Sequence, residues 1–161
     1  MGNNDYLQHY GVLGMKWGVR KYQNKDGTLT PKGQKHYSKQ IKKIEEKISK
    51  DPKSKKDLET VRDFHKKVTD DAQKTMSEWL SGKGKYKDSD YYTVKDQSIN
   101  DALDKYHSKK SLQAQKNIQA FVKRELASDK YLSQMSQNNV NLGRMAVNSI
   151  IYNDPKRFPI K

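Results

Sequence analysis

Hydrophobic side chains recur every three or four residues along most of the chain after residue 30, which predicts a mostly α-helical fold. A first helix is expected to start at Thr30-Pro31, an N-cap followed by proline, and to end before Pro52. Its apolar stripe is Tyr37, Ile41, Ile44 and Ile48. A second stripe predicts a long amphipathic helix from about Ser54 to Leu80, with a seam like that of a coiled coil. That stripe consists of Leu58, Val61, His65, Val68, Ala72, Thr75 and Trp79, and is widened by Phe64, Met76 and Leu80.

Weaker patterns follow the long helix. Residues 82–96 have no helical period and predict an exposed loop, rich in lysine and tyrosine, between two helical sub-bundles. Later helices are predicted from three stripes and from a shorter segment around Leu132, with a break at Asn138-Asn139 and an end near Pro155. The stripes are Ile99, Ala102, Leu103 and Tyr106; Leu112, Ile118, Phe121, Val122 and Leu126; and Leu142, Met145, Ala146 and Ile150. The expected architecture is therefore about five amphipathic helices.

The N-terminal segment has a different pattern, in which glycines alternate with aromatic residues. Gly11, Gly14 and Gly18 fall within eight residues, and Trp17 stands between the last two. Glycine at this density marks backbone that needs φ > 0 or that another backbone approaches closely. Asp26-Gly27 predicts either a short β-hairpin or an irregular turn. We therefore divide the chain into an irregular docking arm, residues 1–33, and a helical domain, residues 34–161.

Composition narrows the choice of partners. The chain has 161 residues, only 32% of them hydrophobic, and a net charge of +14, which favours an anionic partner. Lysines that are merely solvated on helix surfaces explain the same charge. The chain has no cysteine, which excludes disulfides and thiolate sites. No apolar run is long enough to cross a bilayer, so no membrane span is expected.

No motif for catalysis or for cofactor binding is present. The four histidines, His9, His36, His65 and His107, lack the spacing of a zinc site, and His65 fits the edge of a core better than a ligand set. Neither a GxSxG elbow nor a phosphate-binding glycine loop occurs. We therefore expect no catalytic residue, no metal site, no cofactor and no enzymatic activity.

The N-terminal pattern resembles a module that recurs in proteins of bacteriophages and prophages of Gram-positive hosts. The matching positions are His9, Gly11, Gly14, Met15, Lys16, Trp17, Gly18, Val19, Arg20, Tyr22, Gln23, Asn24, Asp26, Gly27, Leu29, Thr30, Pro31, Gly33 and Tyr37. In such proteins the module precedes diverse sequences, often near head-morphogenesis genes. The resemblance implies a non-enzymatic virion- or head-associated structural or assembly protein, located in the virion or the host cytoplasm, and it supplies no catalytic residue.

Two sets of candidate binding residues result. The partner-binding set, for docking on a phage structural protein of the head or portal region, is His9, Tyr10, Gly11, Gly14, Met15, Lys16, Trp17, Gly18, Arg20 and Tyr22. The nucleic-acid-binding set is Lys21, Lys25, Lys32, Lys35, Lys39, Lys42 and Lys43. Inhibition of a host defence or regulatory protein and nonspecific DNA binding are the alternative functions. The stripe of helix 54–80 either packs inside the chain or joins two copies of it.

Overall fold

A computed structural model describes residues 21–154 and 156–158. Six α-helices hold 77% of these residues, and no strand occurs in this part of the chain. The helices are α1 (Pro31–Lys50), α2 (Pro52–Leu80), α3 (Tyr91–Tyr106), α4 (Lys109–Ser128), α5 (Lys130–Asn138) and α6 (Asn141–Tyr152). The expectation of a mostly α fold is confirmed, with six helices rather than about five.

The expected loop 82–96 is too long by six residues at its C-terminal end. Helix α3 begins at Tyr91, because the Asp90 carboxylate accepts hydrogen bonds from the backbone N–H groups of Tyr92 and Thr93 and caps the first turn. Residues 91–94 are two tyrosines, a threonine and a valine, which all favour strands. Their residue types therefore do not indicate the helical turn that follows the Asp90 cap.

The chain forms two compact units, and each has its own core. The first unit contains the described residues up to Pro52 together with Ile118–Ile150. The α1 stripe expected from the sequence is buried here, and Ile48 is completely inaccessible. The other buried apolar side chains of this unit come from α4, α5 and α6: Ile118, Val122, Leu126, Leu132, Met135, Leu142, Ala146, Val147 and Ile150.

The second unit contains Lys53–Asn117 and the described residues from Ile151 onward. Four residues of the α2 stripe are buried in it, namely Leu58, Val61, Val68 and Ala72. Arg62 of α2 donates a hydrogen bond to the Ile151 carbonyl at 3.1 Å. Packing inside the chain therefore uses the α2 stripe, and self-association through that stripe requires these four side chains to leave the core.

Candidate functional site

The segment before α1 is a tight turn closed by backbone hydrogen bonds. Gln23 and Leu29 form an isolated antiparallel bridge, and the Asn24 N–H donates to the Thr28 carbonyl at 2.8 Å. Gly27 has φ +83°, a conformation that favours glycine. Of the two expected alternatives at Asp26-Gly27, the structure has a turn held by a single bridge.

Polar side chains stabilise this turn from within. The Asp26 carboxylate accepts from the Thr28 hydroxyl at 2.6 Å and from the Thr28 N–H at 3.0 Å. Both bonds hold the pKa of Asp26 below its usual value, and the bond from the Thr28 hydroxyl has the larger effect. Such an Asx turn fixes the backbone locally at the point where the chain reverses direction.

Gln23 connects the turn to the C-terminal end of α5. Its side chain is only 2% exposed, and its amide nitrogen donates to the carbonyls of Gly27 and Met135, each at 3.0 Å. Its amide oxygen accepts from the Asn138 side chain at 3.0 Å. Asn139 also donates to the Gly27 carbonyl, at 3.2 Å. A buried amide with its donors and its acceptor satisfied fixes the position of the turn on α5.

The start of α1 packs directly on the preceding backbone. The Thr30 hydroxyl accepts from the Gly33 N–H at 3.1 Å and donates to the Lys21 carbonyl at 2.8 Å. A Cβ atom at Gly33 would lie 1.8 Å from the Tyr22 carbonyl oxygen, so only glycine fits there. We call residues 21–33, with the helix residues that they contact, the turn clamp.

Aromatic rings cover one side of the turn clamp. The ring centroid of Tyr22 lies 5.1 Å from that of His36 and 4.9 Å from that of Tyr131. His36 Nε2 lies 3.2 Å from the Asp129 carboxylate. Desolvation raises the pKa of Asp129, but the Leu132 N–H and His36 outweigh it and bring the pKa below its ordinary value. Tyr22 thus contacts its own chain, and its side chain is half-buried.

Tyr37 extends the same set of contacts from α1 to α6. Its hydroxyl donates to the Leu142 carbonyl at 3.2 Å. Burial raises the pKa of Tyr37 to about 12, so the hydroxyl keeps its proton at neutral pH.

The lysines of the predicted nucleic-acid-binding set are all exposed. Five of them, Lys32, Lys35, Lys39, Lys42 and Lys43, follow one another at helical spacing along α1, on the side opposite its buried stripe. We call them the α1 lysine face. Within the described parts of the chain, none of the five has an ion pair. No Asp or Glu occurs anywhere between Gly27 and Ile44.

The other predicted binding residues divide at residue 20. The partner-binding residues from His9 to Arg20 lie outside the described residues, and only Tyr22 of that set is described. The described part of the phage-like pattern is built into the turn clamp and the start of α1. No sequence pattern indicates the clamp's hydrogen-bond partners on α5, Met135, Asn138 and Asn139, because more than one hundred residues separate them from the turn.

Other chemistry is sparse in residues 21–154 and 156–158. They contain no group of three or more His, Cys, Asp or Glu side chains that could hold a metal ion. None of their helices is both long and apolar enough to cross a bilayer. His65 has a buried Nε2 without a hydrogen-bond partner, and its Nδ1 lies 3.2 Å from the Tyr152 hydroxyl. Burial lowers the pKa of His65.

Comparison with known proteins adds one local similarity. A protein family of unknown function (DUF7211) matches residues 2–24, which end within the turn clamp. No curated protein and no solved structure matches the chain.

Proposed function

We propose that the chain is a non-enzymatic, virion- or head-associated structural or assembly protein of a bacteriophage or prophage. It docks on a phage structural protein, in the head or portal region, through residues 9–20. The resemblance of residues 9–37 to the phage module supports the origin. The protein acts in the virion and, before assembly, in the host cytoplasm.

The turn clamp is the observation that carries the docking proposal. It holds the second half of the module on the first unit through the buried Gln23 side chain and the close contact of Gly33 with Tyr22. The docking residues are joined to this support at Lys21. A recognition segment attached to a well-packed element loses less conformational entropy on binding than one attached to a long linker.

The residue types from 9 to 20 fit a protein cleft. Glycines permit close approach of a partner backbone, and tryptophan and arginine are common anchors of protein interfaces. We expect Trp17 to be buried in the partner, while Lys16 and Arg20 pair with acidic groups there.

Particle incorporation tests the proposal. Virions of the phage or prophage that encodes the chain are purified and analysed by quantitative mass spectrometry. The test variant combines Lys16→Ala, Trp17→Ala and Arg20→Ala. The matched control combines Tyr92→Ala, Lys109→Ala and Lys110→Ala, which removes one ring and two cations from exposed positions of the second unit.

We expect the unmodified chain and the control in the particles, and the test variant at less than a tenth of their level. If the unmodified chain is absent from virions and co-purifies with a host protein instead, the inhibitor alternative replaces the proposal. Equal incorporation of all three chains refutes docking through this segment.

A further inference from the structure

The α1 lysine face has a chemistry that the docking proposal does not use. Its five ammonium groups extend from Lys32 to Lys43, eleven residues, which is about 16 Å along a helix. Along one DNA strand, phosphates recur about every 3.4 Å of the helix axis, so this length corresponds to about five phosphates. Because the five lysines lack ion pairs within the described residues, an incoming anion need not displace an internal partner.

Three lysines of the second unit form ion pairs with acidic side chains. Lys66 pairs with Asp70, Lys85 with Asp101, and Lys105 with Asp71. These acids neutralise much of the local positive potential. On α1 itself, Lys47 pairs with Glu125, which lies beyond the end of the lysine face. Within the α1 lysine face itself no acidic residue interrupts the positive charge, since none occurs between Gly27 and Ile44.

The exposed side of α1 has no large apolar side chain, and this distinguishes between an anionic membrane, an acidic protein and a nucleic acid as the partner. The apolar stripe of the helix, from Tyr37 to Ile48, is buried in the first unit, so it is not available for insertion into a membrane. The exposed large hydrophobic residues of the described chain all lie outside residues 21–52. Protein interfaces generally need aromatic or aliphatic anchors and favour arginine over lysine. Lysines neutralise successive phosphates as point charges, and such contacts require no apolar anchor.

We propose that the α1 lysine face binds double-stranded DNA through its phosphates, without sequence preference. Lys32, Lys35, Lys39, Lys42 and Lys43 contact successive phosphates, and Lys21 and Lys25 of the turn clamp add charge beside them. DNA binding is independent of docking on a structural protein, so a result that refutes one proposal does not refute the other. No bidentate base contact is available from lysine alone, so the interaction reads no sequence.

Binding of a fluorescent 30-base-pair duplex to the purified full chain tests this proposal. Anisotropy titrations are made from 50 to 200 mM NaCl with two duplexes of unrelated sequence. Five phosphate contacts predict a slope of log K against log[NaCl] of about −4.5, which is about a 500-fold loss of affinity over this range. The two duplexes should bind equally.

Two variants with the same net charge distinguish the effect of the α1 lysine face from the effect of the overall charge. The test variant replaces all five lysines of the α1 lysine face by Gln. The control replaces Lys53, Lys55, Lys56, Lys67 and Lys74 of α2, which are also exposed, by Gln. We expect the test variant to lose most of the slope and the control to keep most of it. Thermal unfolding followed by circular dichroism checks that both variants are folded, since exposed unpaired lysines contribute little to stability.

Several outcomes overturn the proposal. One is that the unmodified chain does not bind the duplex at 50 mM NaCl, and another is that the control variant loses as much affinity as the test variant. Tighter binding to phosphatidylserine vesicles than to DNA at equal salt assigns the face to a membrane surface instead. Tighter binding to poly-glutamate assigns it to an acidic protein.

Discussion

Replacement of Gly33 by alanine tests the turn clamp most directly. Helix propensity alone predicts that the substitution stabilises the protein, whereas the close contact with Tyr22 predicts that it destabilises the protein. In a helix, Gly→Ala ordinarily stabilises by up to about 1 kcal/mol. Here the new Cβ would lie 1.8 Å from the Tyr22 carbonyl oxygen, and distances under 3.0 Å are essentially never found. The Tyr22 backbone must therefore move by more than an ångström.

That displacement loosens four hydrogen bonds of the turn clamp. One is the bond from the Thr30 N–H to the Tyr22 carbonyl, at 3.0 Å, and the other three are made by the neighbouring Gln23 side chain. At about 1 kcal/mol each, their loss outweighs the gain in helix propensity. The net destabilisation is about 3 kcal/mol, which lowers the unfolding temperature by roughly 6–12 °C for a chain of this size.

Thermal unfolding by circular dichroism measures this change, and hydrogen exchange of the Asn24 and Thr30 amides locates it. Gly143→Ala is the matched control, since a Cβ at Gly143 would meet nothing within 4 Å. The control should raise stability by about 0.5–1 kcal/mol. The reasoning about the clamp is wrong if Gly33→Ala stabilises the protein as Gly143→Ala does, with unchanged exchange at Asn24 and Thr30.

Two further predictions concern buried polar groups. Tyr37→Phe removes the donor to the Leu142 carbonyl and should lower the free energy of unfolding by about 1 kcal/mol in urea denaturation, while an unchanged midpoint contradicts the bond. Acidification should destabilise the second unit through His65, because burial lowers its pKa and the unfolded chain then binds the proton more readily than the folded one. The contribution of His65 to stability is complete above about pH 6.5 and falls as the pH drops further. In the His65→Gln variant, the melting temperature should therefore change less between about pH 7.5 and 5.5. An equally steep pH dependence in that variant refutes the role of His65.

The helices could be predicted from the sequence because their signals are local. The α1 stripe, its Thr30 cap and its stop before Pro52 lie within about twenty residues, and the structure places them as expected. The sequence does not predict the start of α3, although aspartate is a common capping residue, because Tyr91 to Val94 favour strands. A cap has a larger effect than intrinsic preference when the helix behind it buries a face, and here Val94, Ser98 and Ala102 are buried.

The turn clamp could not be predicted, because its contacts join parts of the sequence that share no pattern. The sequence at Asn138-Asn139 predicts a helix break, and the two asparagine side chains there also contact Gln23 and Gly27. Glutamine is mostly found on surfaces, so nothing in the sequence marks Gln23 as buried. Only the three-dimensional arrangement shows that its amide faces the C-terminal end of α5, where it bonds to the Met135 carbonyl and the Asn138 side chain.

The clamp also limits which part of the N-terminal pattern the docking proposal needs. Gln23, Gly27, Gly33 and Tyr37 have structural reasons for their identity, which are a buried amide, a positive φ, a close backbone contact and a hydroxyl bonded across the unit. Those identities therefore need no binding partner to explain them. Docking therefore depends on residues 9–20, of which Lys16, Trp17 and Arg20 are the proposed contacts, and these lie outside the described residues. An incorporation assay on those three residues is for that reason more informative than any substitution after Tyr22.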